Sequence, residues 1–492
     1  MLMKSTIRSP HVLFIAAEAD PFIKIGGLGD VSGSLPLALK RQYPEIDIRL
    51  VIPYYDAIHQ KQLQVKEVAR FSISSTTGDI NTIVYETNLE DLPVYLIDGE
   101  PITINKPVYG TNFEMDAEKF IYFSLACLAL PKYLHWSVDI LHANDWHTAI
   151  AIHALALQEK IHPELRKIKK ILTLHNLPFM GTGSENALKK FMIPAAKNPR
   201  MPVWARTLPL PMGINSADRI IAVSSTYAQE IMTPEFGCDL QNYIISKQKH
   251  LIGIVNGIDY KIWDPETDSN CQPKYSINTL EERIENKTRI QKEFSLPENP
   301  SIPLFAFIGR MDRQKGIDLA LSAFQKLDIS TKWQAIFLGT GDKTLESEVQ
   351  ALQEKFPDQF RAAIRFDSSL SHRLYAGADI LLMPSRYEPC GLSQIIAMRY
   401  GCVPVARATG GLKDTIENYV PGNDHATGFL FDGHESEDLL IAINNAISTF
   451  SSPEIWKTIQ INGMKKDFSW QISAEKYYNT YISLLSSKTN AR

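Results

Sequence analysis

The chain has 492 residues, of which 44% are hydrophobic and 22% charged, and its formal net charge at pH 7 is −4. That length exceeds a single core and points to two large domains of ordinary globular composition, while the charge balance leaves no basic field for nucleic acid or an anionic membrane. The five cysteines, Cys127, Cys238, Cys271, Cys390 and Cys402, are odd in number and share no paired spacing, so neither a disulfide framework nor a zinc site is read and a reducing cytosol is expected.

The opening stretch MLMKSTIRSPHVLFIAAEADP has too short an apolar run to span a bilayer, and no signal or anchor is expected. Val12–Ala17 reads as the first buried strand. It feeds a loop that holds Lys24, Gly26, Gly27 and Gly29 before a helix to about Lys40. Gly26 and Gly27 permit a backbone that aims consecutive N–H groups at an anion, with Lys24 as a point charge, although a plain tight turn explains the glycines equally. The dinucleotide spacing is absent, since Gly27 and Gly29 are followed by Gly33. Arg49–Pro53 is a second strand, and Phe71, Ile83–Tyr85 and Val94–Ile97 mark further strands without recognisable chemistry.

Asp116–Leu134 is predicted as an amphipathic helix and Asp139–Leu141 as a strand that ends in His142, Asn144, Asp145, Trp146 and His147. Asn144 or Asp145 could cap the helix that follows. Ile168–Leu174 is a strand ending in His175, which could be structural or catalytic. Ala217–Val223 is another, and Ile252–Val255 leads into Asn256 and Gly257. Residues 264–300, rich in Pro, Asn, Glu and Ser, read as a connector with a helix Thr279–Phe294.

In the second half, Leu304–Ile308 ends at Gly309 and Arg310, and Lys315 and Gly316 precede a helix Ile317–Leu327. Two cations at a strand end suit a phosphate, and surface solvation would also account for them. Trp333–Leu338 ends in a further glycine loop, and Ala363–Phe366 is followed by a polar segment. Ile380–Met383 is a short apolar run of the kind buried on both faces of a parallel sheet. Its polar loop carries Glu388, Cys390 and Gly391, ahead of a helix Leu392–Tyr400. Glu388 could be a ligand-facing acid, a helix N-terminal acid or an ion-pair partner for Arg386. Cys402–Ala406 then leads into Thr409, Gly410 and Gly411. Ligands in open α/β sheets sit at the strands' carboxyl ends, so these two strand ends are expected to face one anionic ligand, with Gly391 allowing close approach at a helix start.

SRYEPCGLSQIIAMRYG followed by TGGLKDT resembles the signature of bacterial glycogen synthases and plant starch synthases, retaining α-glucosyltransferases of the GT-B type. KIGGLGDV is similar to the family's KTGGLGDV, HANDWH to HxHDWH, LHNLPFMG to HN(L/I)xxxG, VNGID to PNGID and GRMDRQKG to GRLxxQKG. Asn144, Ser225 and Val255 depart from the family pattern, and Phe366 stands where a tyrosine is usual. The resemblance runs from about residue 11 to about residue 485, nearly the whole chain.

It implies two doubly wound, Rossmann-like domains facing a deep cleft. Residues 1–254, completed by 468–492 through a helix that crosses back, would form the first, and 255–467 the second. The implied reaction moves glucose from ADP-glucose to the non-reducing end of an α-1,4-glucan with retention. The implied catalytic residues are Glu388, His175, Asp145, Arg310 and Lys315. Lys24, Gly26, Gly27, His147, Asn256, Phe366, Cys390, Gly391, Leu392, Thr409, Gly410 and Gly411 would bind substrate. Asp at i and i+2 occurs nowhere, so no metal or other cofactor is expected. The partners are the nucleotide sugar and the glucan, in the cytoplasm, or in a plastid if the source is a plant or alga. UDP-glucose as donor, a glucan-binding paralogue, an α-glucan phosphorylase and a transferase making sucrose or a glycolipid are the alternatives.

Overall fold

The computed structural model describes residues 9–104, 107–328 and 330–486. Residues 1–8, part of the stretch read for a leader, and 487–492, the end of the closing segment, lie outside the described residues. The chain divides into two compact units, Met1–Gly257 with Trp470–Arg492, and Ile258–Ser469.

The first unit is built on a nine-stranded sheet whose order is β3-β4-β5-β2-β1-β6-β7-β8-β9. Its strands are β1 (His11–Ile15), β2 (Asp47–Pro53), β3 (Lys66–Ile73), β4 (Ile80–Leu89), β5 (Leu92–Gly99), β6 (Ile140–Asn144), β7 (Lys169–Leu174), β8 (Arg219–Ala222) and β9 (Leu251–Gly253). All neighbours pair parallel except β3 with β4 and β4 with β5. The central strands are continuous apolar runs because helices cover both faces. Helix α1 (Gly27–Gln42) follows β1, α2 (Phe113–Tyr133) precedes β6, and α3 (Asp145–Gln158) follows β6 directly. The Asn112 side chain caps α2 by accepting the Glu114 and Met115 N–H groups.

The second unit is a wholly parallel sheet of order β12-β11-β10-β13-β14-β15. It comprises β10 (Leu304–Ile308), β11 (Gln334–Gly339), β12 (Phe360–Ile364), β13 (Ile380–Met383), β14 (Val403–Arg407) and β15 (Phe429–Phe431). Its core gathers Phe305, Phe307, Phe324, Trp333, Phe337 and Phe360, with ring pairs edge-on or tilted. Helices α4 (Ile317–Lys326), α5 (Ser393–Arg399) and α6 (Gly410–Thr415) follow β10, β13 and β14. The connector helix predicted over 279–294 is instead a 3-10 turn, Leu280–Glu282, and an α-helix, Arg283–Glu293.

Helix α7 (Trp470–Ser486) ends the described chain but belongs to the first unit. Tyr478 stacks on Tyr43 with ring centroids 3.7 Å apart. His142 shares hydrogen bonds of 2.7 Å with the hydroxyls of Tyr481 and Thr173. Both ring nitrogens of this fully buried histidine are thereby used, and its role is to seat α7. The five cysteines are free. Among the described residues no helix is long and apolar enough to cross a membrane.

Among the parallel strands of each sheet the order reverses once, between β1 and β6 and between β10 and β13. At such a point the connections leave in opposite directions and open a crevice at the carboxyl ends. The loops after these four strands carry most of the residues singled out above.

Candidate active site

In the first unit the loop after β1 is organised by Glu18, whose side chain is buried. Its Oε2 accepts the N–H groups of Ile25 and, at 3.1 Å, Gly26. Its Oε1 accepts the Tyr109 hydroxyl at 2.9 Å. The glycine loop was expected to turn the Gly26 amide toward an anion; the structure turns it inward instead, because the Glu18 carboxylate lies beneath it. The Gly27 N–H, at the first position of α1, has no partner inside the helix. Lys24 Nζ reaches Asp30 Oδ1 at 2.6 Å. Burial pushes the carboxyls of Glu18 and Asp30 upward.

Across the switch point, Asp145 begins α3 with φ at +55°, a left-handed backbone that is uncommon outside glycine. Its Oδ1 accepts the His175 N–H at 2.7 Å and the Asn176 N–H at 3.3 Å, tying β7's exit loop to β6's. Neither Asn144 nor Asp145 caps α3 with its side chain; Thr148 hydroxyl contacts the Asn144 backbone in their place. Asn144 Nδ2 donates to the Ile15 carbonyl, which leaves its Oδ1 to accept from His175 Nε2 at 3.0 Å. The imidazole therefore carries its proton on Nε2, and Nδ1 is an acceptor. Desolvation holds the His175 pKa down to about 3, so the ring is neutral at pH 7. The same effect raises Asp145 to about 7. His147 sits among the rings of Tyr109, Phe120 and Trp146. His147 Nδ1, Asn176 Oδ1 and Asn256 Oδ1 are buried without a hydrogen-bond partner within the protein.

In the second unit Lys315 Nζ lies 2.7 Å from Glu388 Oε2, which also accepts the Ser385 hydroxyl at 2.9 Å. Arg386, the alternative partner, instead forms two 2.8 Å contacts with Asp318. Arg310 is 59% exposed on its side chain, with Asp312 at 2.8 Å and Gln314 at 3.1 Å. Gly316 has φ at +68°, and a Cβ there would lie 1.9 Å from the Pro384 carbonyl oxygen. Gly410, at φ +46°, is packed on the Glu388 carbonyl, and Gly411 donates its N–H to that oxygen at 3.0 Å. These two glycines let the β14 loop lie against the β13 loop. The Gly411 amide expected to face an anion is consumed in that contact. Gln394 fastens the same junction by donating to the carbonyls of Cys390 and Gly391 and to Thr415.

Gly316→Ala adds the clash to the left-handed backbone penalty, so a stability loss above about 2 kcal/mol is expected in urea unfolding. Unchanged stability would mean that the β10 and β13 loops are not in contact.

Lys24, Arg310 and Lys315, the expected phosphate cations, each hold a carboxylate in this structure. Such exposed pairs as that of Arg310 are worth roughly 0–1 kcal/mol and yield readily to a stronger anion. Leu392 is the N-cap of the seven-residue α5 and Thr409 that of α6. Phe366, beyond β12 and 87% exposed, presents a free aromatic face. Sequence reasoning missed Glu18, Tyr109, Ser385 and Gln394, and it gave Asn144 too little weight. An acid just after a buried strand was the available signal for Glu18. Among the described residues no group of three or more His, Cys, Asp or Glu side chains is placed to hold a metal ion.

Residues 11–246 match the family model described as starch synthase catalytic domain, and residues 287–459 match glycosyl transferases group 1. A glycogen synthase of Clostridium perfringens is 39% identical, with 96% of this chain and 98% of the relative covered. The chain belongs to the glycogen/starch synthase family. It is thus a retaining glucosyltransferase. Glycogen synthase 2 of Nitrosococcus oceani, 36% identical over 98% of this chain and 99% of its own, is another relative of this synthase family. Among solved structures, the catalytic domain of starch synthase IV from Arabidopsis thaliana bound to ADP and acarbose is similar at 29% identity, TM-score 0.88, with 97% of this chain and 100% of that one covered. Sucrose-phosphate synthase from Thermosynechococcus elongatus, 18% identical with TM-score 0.62 over 98% of this chain and 100% of that one, shares the GT-B fold.

Proposed function

We propose that this synthase-family chain transfers glucose from ADP-glucose to the 4-hydroxyl at the non-reducing end of an α-1,4-glucan. The observation that carries the reading is the Lys315–Glu388 pair at the β10/β13 switch point. Departure of the nucleoside diphosphate builds negative charge on the leaving oxygens and positive charge on the sugar. In the second unit Lys315 and Arg310 oppose the first and Glu388 stabilises the second, and in the first unit Lys24 and the Gly27 amide are the donors suited to a diphosphate. Phe366 offers its ring to the nucleobase. His175 Nδ1 accepts a hydroxyl of the transferred glucose, and Asp145 holds the loop that presents it. With no nucleophile assigned, retention follows from a reaction on one face of the sugar, with acceptor attack and diphosphate departure on the same side. The relative that binds ADP and acarbose supports an adenine nucleotide and a glucan as the two substrate classes. Protein cations take the role that a metal plays elsewhere, and the cytoplasm, or a plastid in a plant or alga, is the proposed location.

The test is glucose incorporation into glycogen from ADP-glucose and UDP-glucose in parallel, with and without EDTA. Incorporation from ADP-glucose that EDTA leaves unchanged is expected, with Arg310→Ala reduced by about 10²-fold. Incorporation from UDP-glucose alone would overturn the donor, and loss in EDTA the metal-free reading.

A further inference from the structure

We infer that Glu18 is a positioning residue for the donor diphosphate, a buried carboxylate that shapes the glycine loop from within and couples it to the ring cluster around His147. The inference rests on the donor-side reading of the loop given above.

A carboxylate at this place is physically odd. Glu18 is 1% exposed and none of its hydrogen-bond partners is a cation, yet it lies under a loop expected to meet a dianion. Both its oxygens are nevertheless engaged: Oε2 by two consecutive loop amides and Oε1 by a phenol. Drawing the Ile25 and Gly26 N–H groups inward sets the path of the chain into α1. It leaves Lys24 before the turn and the Gly27 N–H after it as the outward donors. Gly29 is part of the same device, since a Cβ there would lie 3.0 Å from Glu18 Oε2 and 3.2 Å from Lys24.

The other end of the carboxylate is fixed just as firmly. Lys119, fully buried, donates to the carbonyls of Pro107 and Val108 and pairs with Asp116. Asp116 in turn accepts the Gly110 N–H at 2.8 Å. The backbone on both sides of Tyr109 is therefore tied to α2, and its ring lies 5.1 Å from that of His147. Glu18 joins this rigid support to the loop at the two amides that lead into α1, while Tyr55 and Lys61 hold the loop's earlier carbonyls at Ala17 and Pro21. Phosphate positioning by a loop demands sub-ångström placement, so the anchor sets donor affinity without touching the donor.

The experiment uses the full chain as wild type, Glu18→Ala, Glu18→Gln and Tyr109→Phe. ADP affinity is read by calorimetry, donor and acceptor KM by initial rates, and folding by urea unfolding. Glu18→Ala is expected to weaken ADP and raise the donor KM about tenfold or more, with the acceptor KM within about twofold. Glu18→Gln keeps an oxygen for the two amides and an amide for Tyr109, and should restore ADP affinity to within about threefold of wild type. A folded Glu18→Ala with unchanged ADP affinity, or a Glu18→Gln as impaired as the alanine variant, overturns the inference. Should Glu18→Ala fail to fold, Tyr109→Phe decides: weaker ADP binding supports the coupling and unchanged binding refutes it. Wild type that binds ADP in a Glu18-dependent way but turns over no donor would sink the proposed reaction and leave this inference standing, whereas wild type that binds no ADP sinks both.

Discussion

Lys315→Ala is expected to lower kcat/KM for the donor by about 10²- to 10³-fold, the usual effect of deleting one charge-stabilising group, and also to destabilise the fold. Glu388 is 7% exposed on its side chain, and without Lys315 it keeps only the Ser385 hydroxyl among these contacts. A buried acid stripped of its cation costs about 2 kcal/mol or more. Glu388→Ala should cost activity comparably but stability less, because the Lys315 ammonium, 23% exposed, can turn to water. The double variant should then regain stability relative to Lys315→Ala while remaining inactive. Urea unfolding and initial rates on the four proteins complete the cycle. Equal stability in wild type and Lys315→Ala would show that the pair is not formed in solution.

The second large effect belongs to Asp145. Burial raises its pKa from 3.8 to about 7 against the pull of the His175 and Asn176 amides. Below the unfolded value the group is neutral in both states. Between 3.8 and about 7 the unfolded chain has released the proton that the folded chain retains, so stability falls as pH rises, and above about 7 the loss is complete. Three units correspond to roughly 4 kcal/mol as an upper figure. Asp145→Asn keeps an oxygen for both amides and a residue type that tolerates the positive φ. It should therefore be more stable than wild type at pH 8, by up to about 2–4 kcal/mol, and lose that advantage at pH 4–5. A difference in stability that does not change with pH would contradict the burial of this charge.

Much of this site is legible in the sequence alone. Apolar runs such as Ile380–Met383 announce parallel strands, and the polar clusters at their ends announce where ligands go. Which partner each polar group selects was less accessible. Glu388 sits two residues from Arg386 and 73 from Lys315, and the structure pairs it with the lysine. Asn144, a departure from the family pattern, turns out to set the His175 tautomer from a neighbouring strand. Gly410 and Gly411 read as phosphate-facing, and the structure also packs both against the β13 loop, where the Glu388 carbonyl takes the Gly411 N–H. Gly26 was expected to point its amide outward, and a carboxylate eight residues earlier claims it.

By itself the sequence determined the class of the elements, the existence of two α/β units and the family to which the chain belongs, because these depend on local periodicity and on motifs that carry their own spacing. Tertiary structure alone decided that β1 lies beside β6 and β10 beside β13, for parallel strands pair across long loops and nothing in a strand names its neighbour. From the β10–β13 neighbourhood follows the Lys315–Glu388 pair, and from β6 beside β7 the Asp145 contact to the His175 loop, while the inward turn of the glycine loop onto Glu18 is made within the loop after β1. Each is a choice among several available partners, settled by which buried charge or donor would otherwise go unsatisfied.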